Sequence, residues 1–457
     1  MEKRLYFFGL IGFVGLLCLA TVFYQERIIF SDAAFYLFNI VKDGQFAVFH
    51  SRFIAVLTEI FPLTAVKLGI PLQQVMLVYS VGFVIYYLIA YLVSGLVFKN
   101  YGFALVILLI NTLFITDTFY WMLSELPQGM VLMCVMFSVL NTPRFGKLTP
   151  GSGLICLLFM PVIVYSHPLI LFPFFFALIF LFLHQGLFIS RSILYFLAGL
   201  FVAIYIIKGV FSSDQDDSTA AQGLRNFVTL FPDYFTQYSF RNFLENWLEK
   251  YYWMPITIGI VSFVYINKRS WLKLALVLFS FAGFAFLINV SYPSERTDDF
   301  YFENLYTPLG FILGLPLVFD VLFTLERRSV SFVILGLILT TCLIRIPVMK
   351  TKYVARLDWL KSYMSQHVNE KLIVSRALIP MDTVMMEWGT PYEVWLLSTP
   401  VYGKTASIVI TENPNSLHWA TQSGNHALFT WGFFPYKEFP ARYFSFPDTT
   451  SLYKIVQ

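Results

Sequence analysis

Residues 169–183 read LILFPFFFALIFLFL, and no side chain in this stretch is polar. Residues 105–113, LVILLINTL, are almost as apolar. A membrane-spanning β-strand would alternate polar and apolar side chains over about ten residues. Neither stretch alternates in this way, which favours helices and argues against a transmembrane barrel.

The composition extends this conclusion to the whole chain. Of its 457 residues, 58% are hydrophobic and only 13% are charged, and the mean hydropathy is +0.69. The apolar residues form runs of about 17 to 25 positions, the length that a helix needs to cross roughly 30 Å of hydrocarbon. A soluble protein could not cover so much apolar surface. The sequence therefore predicts an all-α polytopic membrane bundle.

The runs predict about eleven membrane-spanning helices, at residues 5–24, 74–97, 103–119, 127–141, 152–166, 169–185, 193–211, 254–267, 272–291, 307–324 and 331–348. The first run has no convincing signal-peptide cleavage site, so we interpret it as a retained helix. If the N-terminus is cytoplasmic, every inside loop is short and basic, and most acids lie outside. These inside loops carry Lys3, Arg4, Lys99, Arg144, Lys147, Arg191, Lys268, Arg269, Lys273, Arg327 and Arg328. The prediction is a multi-pass protein of the inner (cytoplasmic) membrane, N-terminus in and C-terminus out.

This topology leaves four sizeable segments outside the membrane, at residues 25–73, about 212–253, about 292–306 and 350–457. The last contains an amphipathic stretch, Val354 to Val368, and short strand-like runs at Leu372 to Val374, Val394 to Leu397 and Ala406 to Ile410. We therefore predict two domains: a transmembrane domain, 1–349, that includes the first outer loop, 25–73, and a small extracytoplasmic α/β or α+β domain, 350–457.

The first outer loop has the strongest functional signal. Asp32 follows the first predicted helix closely, and a charge at that depth is costly unless it is paired or used. An amphipathic helix at 35–41 comes next, then His50 and Arg52, then a second stretch, 53–68, that is typical of a helix lying in the interface. In the alternative interpretation, Asp32 only caps the helix that follows it.

Other outer loops contribute further candidates. Asp117 and Glu125 flank an aromatic turn, where interfacial solvation is the alternative to function. His167 lies at an outer hairpin turn and could bind phosphate or be an ordinary loop residue. Arg296, which precedes Tyr306, has the planar fork that suits a lipid phosphate; a salt bridge with a neighbouring acid is the alternative.

Several other classes of function lack their signals. The chain has no phosphate-cradling glycine loop and no Ser-His-Asp order. Its cations are dispersed, so nucleic acid is not expected as a partner. The four cysteines fall inside apolar runs without metal-ligand spacing, which predicts neither disulfides nor zinc: Cys18, Cys134, Cys156 and Cys342.

Together these features resemble the GT-C superfamily of membrane glycosyltransferases, which includes protein O-mannosyltransferases and the aminoarabinose transferase of lipid A. The resemblance covers roughly residues 1–350 and is architectural. Asp32, in the segment Ser-Asp-Ala-Ala-Phe-Tyr at 31–36, is similar to the superfamily's first-loop acid with an aromatic residue after it, and Glu125, or else Asp117, to its second-loop acid. Arg296 with Tyr306 and Pro308 is similar to the superfamily's late-loop arginine and its Tyr/Pro helix entry. Many relatives have paired acids in the first loop, whereas Ala33 follows Asp32 here.

The resemblance implies transfer of a sugar from a polyprenyl-phosphate donor to an acceptor of unknown identity at the outer face of the membrane. Asp32 would be the general base, Glu125 a second catalytic acid, and Arg296 the phosphate ligand, aided by Arg52 or His167. His50, Asp117 and Tyr306 are further candidates. No metal ligands are assigned and no cofactor is certain, with a divalent metal left open; donor and membrane lipids are the expected partners. The alternatives are a polysaccharide polymerase or ligase, a transporter or flippase, and a membrane scaffold.

The predicted orientation can be tested with reporter fusions. A reporter that is active only outside the cytoplasm should be active after Gln457 and inactive after Lys147 or Arg328, because short basic loops stay inside. Activity after Arg328 with inactivity after Gln457 would reverse the orientation and move the candidate site to the cytoplasmic face.

Overall fold

The structure is a computed structural model that describes residues 1–122, 125–211, 223, 225–292, 299–417 and 424–456. Within these ranges, six helices are long and apolar enough to cross a membrane: Glu2–Val22, Leu72–Val97, Arg191–Val210, Trp271–Ser291, Phe300–Leu322 and Arg328–His367. Five shorter apolar helices join them in the described part of the chain: Tyr101–Ile110, Glu125–Leu140, Pro150–Val164, Pro168–Leu183 and Trp253–Asn267. Their length and composition indicate a helical, membrane-embedded protein.

All eleven predicted apolar segments coincide with these helices, so the helical class is confirmed, whereas the number of crossings and the orientation stay predictions. The prediction at 103–119 is wrong in its second half, because the helix ends at Ile110. The backbone N–H groups of Thr116 and Thr118 donate to the carboxylate of Glu303, at 2.6 and 2.9 Å, instead of continuing the helical ladder. The segment predicted at 307–324 starts earlier, in the helix Asp299–Pro316, and ends in a π-helical turn, Leu317–Leu322.

Both helices predicted within residues 25–73, the predicted first outer loop, are present. The first-loop helix, Ser31–Asp43, buries an apolar face and ends at Gly44, whose positive φ of 60° suits a left-handed cap. A second helix, Val56–Lys67, follows a short 3-10 turn, Phe53–Ala55. Further α-helices in the described part of the chain include Tyr24–Ile28, Tyr238–Glu249, Met381–Val384 and Thr390–Tyr402.

The C-terminal part contains a three-stranded parallel sheet in the order β2-β1-β5 and a hairpin of β3 and β4. The strands are β1 Lys371–Ser375, β2 Ser407–Thr411, β3 His426–Phe429, β4 Gly432–Pro435 and β5 Lys454–Val456. The strand-like prediction at Val394 to Leu397 is wrong: these residues lie in the helix Thr390–Tyr402. The helix is buried on several sides, and a short apolar run does not distinguish a buried strand from a buried helix.

One long helix, Arg328–His367, connects the apolar bundle to the C-terminal part. It contains residues 354–367 of the amphipathic stretch and continues through residue 350, the predicted domain boundary. Its Arg356, 1% exposed, forms a salt bridge of 2.5 Å with Glu393, which is fully buried. Arg356 also donates to the carbonyl oxygens of Ile29 and Val384, each at 2.8 Å. A single side chain thus joins the long helix, the first outer loop and the C-terminal part.

Replacing Glu393 by Gln should destabilise the protein by about 3–5 kcal/mol, because it leaves the buried Arg356 guanidinium without an opposite charge. The measurement is the free energy of unfolding, or the melting temperature, in detergent. Glu412→Gln is the matched control, since Glu412 is largely exposed and its salt bridge with Arg376 should contribute about 0–1 kcal/mol. Equal losses for the two variants would contradict a structural role for the buried pair.

Candidate functional site

Five of the sequence-predicted residues line one cavity of about 610 Å³: Asp32, His50, Arg52, Glu125 and His167. They come from the first outer loop, the helix Glu125–Leu140 and the turn after the helix Pro150–Val164. Trp388 and Trp431 of the C-terminal part complete the wall. The cavity has the size and the mixed aromatic and polar lining of a small-molecule site.

Asp32 lies in the first turn of the first-loop helix and is half-buried. It makes no side-chain cap to that helix, so the capping interpretation is wrong. Its Oδ2 accepts a hydrogen bond of 3.1 Å from the indole Nε1 of Trp121. Burial raises the pKa of Asp32 to about 7, and the negative charge of Glu125 contributes to the rise. A carboxyl group poised near neutral pH can act as a general base.

The residue before Asp32 sets its position. Ser31 has a φ of 43°, in the left-handed region that non-glycine residues seldom adopt. Its backbone N–H donates to Glu393 at 2.5 Å, and a Cβ on Gly389 would lie only 2.6 Å from the Cα of Ser31. Contacts from the C-terminal part therefore hold the unusual backbone from which the first-loop helix starts.

Glu125 is buried and joins two cavity residues. Its Oε2 accepts from Nη1 of Arg52 at 2.9 Å, and its Oε1 accepts from the hydroxyl of Tyr36 at 3.1 Å. The second-loop acid is thus engaged by a cation and a phenol. This arrangement suits a residue that orients Arg52 and repels negative charge on Asp32.

A strained turn presents Arg52. His50 and Ser51 both have left-handed backbones, with φ of 51° and 56°, a conformation that costs roughly 1–2 kcal/mol per residue. The buried Glu59 holds the segment that precedes this turn, because its carboxylate accepts a hydrogen bond of 2.8 Å from the backbone N–H of Ala47. Such strain persists where the surrounding structure enforces it, and it is frequent at functional sites.

His167 is neutral at neutral pH, since burial lowers its pKa well below the usual value and the charges of Arg52 and Lys208 lower it further. Its Nδ1 accepts the backbone N–H of Leu169 at 3.1 Å. The ring proton therefore lies on Nε2, where it can be donated. Lys208 is buried beneath Tyr165, with 5.4 Å between its Nζ and the ring centroid, so a second cation lies close to His167.

Two predicted residues that the structure describes, Asp117 and Tyr306, do not line this cavity. Asp117 is fully buried and binds Lys352 at 2.9 Å and Lys250 at 3.6 Å. The hydroxyl of Tyr306 donates to Asn289 at 2.8 Å, inside the helix Asp299–Pro316 rather than at its entry. Arg296 lies outside the described residues.

Sequence reasoning missed the aromatic part of the site, because Trp121, Trp388 and Trp431 are far apart in the chain. Only Trp121 could have been connected with the site from the sequence, because it lies four residues before Glu125. Among the described residues, no group of three His, Cys, Asp or Glu side chains could hold a metal ion.

Comparison of the chain with models of protein families, with curated proteins and with solved structures finds no match. Function is therefore inferred from the cavity itself. The cavity combines a carboxyl group whose pKa is raised to about 7, a cation, a neutral imidazole donor and aromatic walls.

The raised pKa of Asp32 can be tested with an apolar carbodiimide, which reacts with protonated carboxyl groups. Labelling of Asp32, followed by mass spectrometry of its peptide, should be half-maximal near pH 7 and should decline at higher pH. Glu125→Gln removes the repelling charge, so it should move the midpoint to lower pH. Asp32→Asn identifies the labelled site. A wild-type midpoint near the ordinary aspartate value of about 3.9 would refute the electrostatic description of the site.

Proposed function

We propose that the protein transfers a sugar from a polyprenyl-phosphate donor to a hydroxyl acceptor at the outer face of the membrane. One observation carries the proposal: Asp32, with its pKa raised to about 7, lines the same cavity as Arg52 and His167. The reaction needs a base for the acceptor and positive or hydrogen-bonding groups for the departing phosphate.

The proposed step is a single displacement. Asp32 takes the proton of the acceptor hydroxyl while the acceptor oxygen forms a bond to the anomeric carbon. The bond between that carbon and the phosphate oxygen breaks, and its electron pair leaves with the polyprenyl phosphate. Attack from the face opposite the phosphate inverts the anomeric configuration.

The phosphate is proposed to lie between Arg52 and His167. Arg52 offers a planar fork of donors that matches a phosphate, and Glu125 holds that fork in place. The Nε2–H of His167 supplies a neutral donor, and Lys208 adds positive charge behind the ring. Negative charge on the phosphate grows as the glycosidic bond breaks, so these groups stabilise the transition state more than the bound donor.

A second cavity suits the hydrocarbon tail of the donor. It measures about 670 Å³, is open at one side and is lined almost entirely by apolar side chains, including Leu171, Phe284 and Ile312. Two segments of the chain run from the first cavity to the second. One has His167 in the first cavity and Leu171 in the second, and the other has Leu305 in the first and Ile312 in the second. A donor whose phosphate lay at His167 could extend its tail into the apolar cavity.

The proposal includes the finer topology predicted from the sequence. About eleven crossings, with the N-terminus inside and the C-terminus outside, would place the first outer loop and the C-terminal part on the outer face. Helices of 10–17 residues are short for a full crossing. Eleven crossings therefore require that the membrane is thinned around these helices or that they are packed within the bundle.

Asp32→Asn should lower sugar transfer by roughly 10²-fold or more, because the amide cannot accept the acceptor proton. Transfer is measured in nanodiscs supplied with extracted lipid-linked sugars, beside a melting curve for each variant. Asp43→Asn is the matched control, since Asp43 lies at the other end of the same helix with a half-exposed side chain. Near-normal transfer by Asp32→Asn would end the proposal that Asp32 is the base.

The same base predicts the pH dependence of the wild-type protein. A carboxyl group with a raised pKa is protonated, and inactive as a base, below that pKa. Specific activity should therefore fall as the pH is lowered through about 7. A profile that stays flat down to pH values near the ordinary aspartate pKa would contradict the assignment.

A further inference from the structure

Two indole rings from the C-terminal part form one wall of the cavity that contains Asp32. The rings of Trp388 and Trp431 have centroids 5.4 Å apart and planes inclined by 30°. Trp388 is half-buried, whereas Trp431 is 67% exposed. Leaving so large an apolar ring in contact with water contributes little to folding, so the pair is a candidate binding surface.

The pair is held in place by specific contacts. Trp431 lies at the turn between β3 and β4, and the neighbouring Thr430 donates its hydroxyl to the carbonyl oxygen of Trp388 at 3.0 Å. The indole Nε1 of Trp388 donates to the sulfur of Met386 at 2.8 Å. Phe35 of the first-loop helix packs against Trp388, with 6.0 Å between ring centroids. The tryptophan pair thus packs, through Trp388, against the helix that carries Asp32.

We infer that the tryptophan pair binds a sugar ring of a glycan acceptor. A pyranose ring has two apolar C–H faces that pack on an indole, and its hydroxyl groups point outward from the ring's edge. The other walls of the same cavity supply partners for such hydroxyls, namely Asp32, His50 and Asn304. A hydrocarbon chain would offer no hydrogen bond to any of these polar groups, which disfavours a purely apolar occupant.

This inference rests on the proposed transfer function and divides the cavity into two parts. The donor phosphate would lie beside Arg52 and His167, and the acceptor glycan beside the tryptophan pair, with Asp32 between them. The C-terminal part would then select the acceptor, while the apolar bundle would bind the donor.

Binding to an array of immobilised oligosaccharides tests the inference without requiring transfer. The purified full-length protein in detergent should bind one or more glycans, and Trp431→Ala should weaken that binding roughly tenfold, the loss expected for a central aromatic anchor. Trp431→Phe should retain part of it. Phe433→Ala is the matched control, since Phe433 is an exposed aromatic residue on the same hairpin but does not line the cavity.

Immobilised peptides and phospholipids on the same array distinguish other partners. Absence of glycan binding by a protein with a normal melting curve would overturn the inference, as would glycan binding that neither Trp431→Ala nor Trp388→Ala changes. Binding that is restricted to peptides or lipids would also overturn it. Transfer is tested by Asp32→Asn and glycan binding by Trp431→Ala, in separate assays, so failure of the catalytic proposal and failure of the glycan site give different results.

Discussion

The buried ion pair between Arg356 and Glu393 is the interaction on which the geometry of the candidate site depends. Glu393 binds the guanidinium through one oxygen and accepts the N–H of Ser31 through the other. Both partners are almost completely buried, so removal of either would leave a charge in a low-dielectric environment. The pair therefore fixes the left-handed backbone of Ser31, and with it the direction of the helix that carries Asp32. The C-terminal part is coupled to the chemistry through this contact as well as through its tryptophans.

Buried acids organise the neighbouring outer loops in the same way. Glu303 accepts from Thr116, Thr118 and the hydroxyl of Tyr251, and Asp117 binds two lysines. Loops that cover an apolar bundle must satisfy their backbone N–H groups without a helix or sheet, and carboxylates supply the acceptors. Glu303 and Asp117 thus have structural roles. Asp32 differs from these two acids because its carboxylate accepts a hydrogen bond from a neutral indole and lines the cavity.

The sequence predicted those features that depend on local pattern. Length and hydropathy located the apolar helices, and the amphipathic pattern located the helix that begins at Ser31. The wrong predictions arose where tertiary contacts decide the structure: Glu303 ends the helix at Ile110, and burial makes the segment around Val394 helical. The candidate residues of the first loop were found because charges beside a membrane are rare. Trp388 and Trp431 could not be found, because only the folded chain brings them to Asp32.

We propose that the cavity beside Asp32 binds a lipid phosphate through Arg52 and His167. Electron cryo-microscopy of the protein in lipid nanodiscs with added polyprenyl phosphate can show where the phosphate binds. We expect density for a phosphate within hydrogen-bonding distance of Arg52 and of Nε2 of His167, with the tail leaving towards Leu171 and Phe284. A phosphate bound elsewhere, with the cavity beside Asp32 empty of lipid, would contradict it.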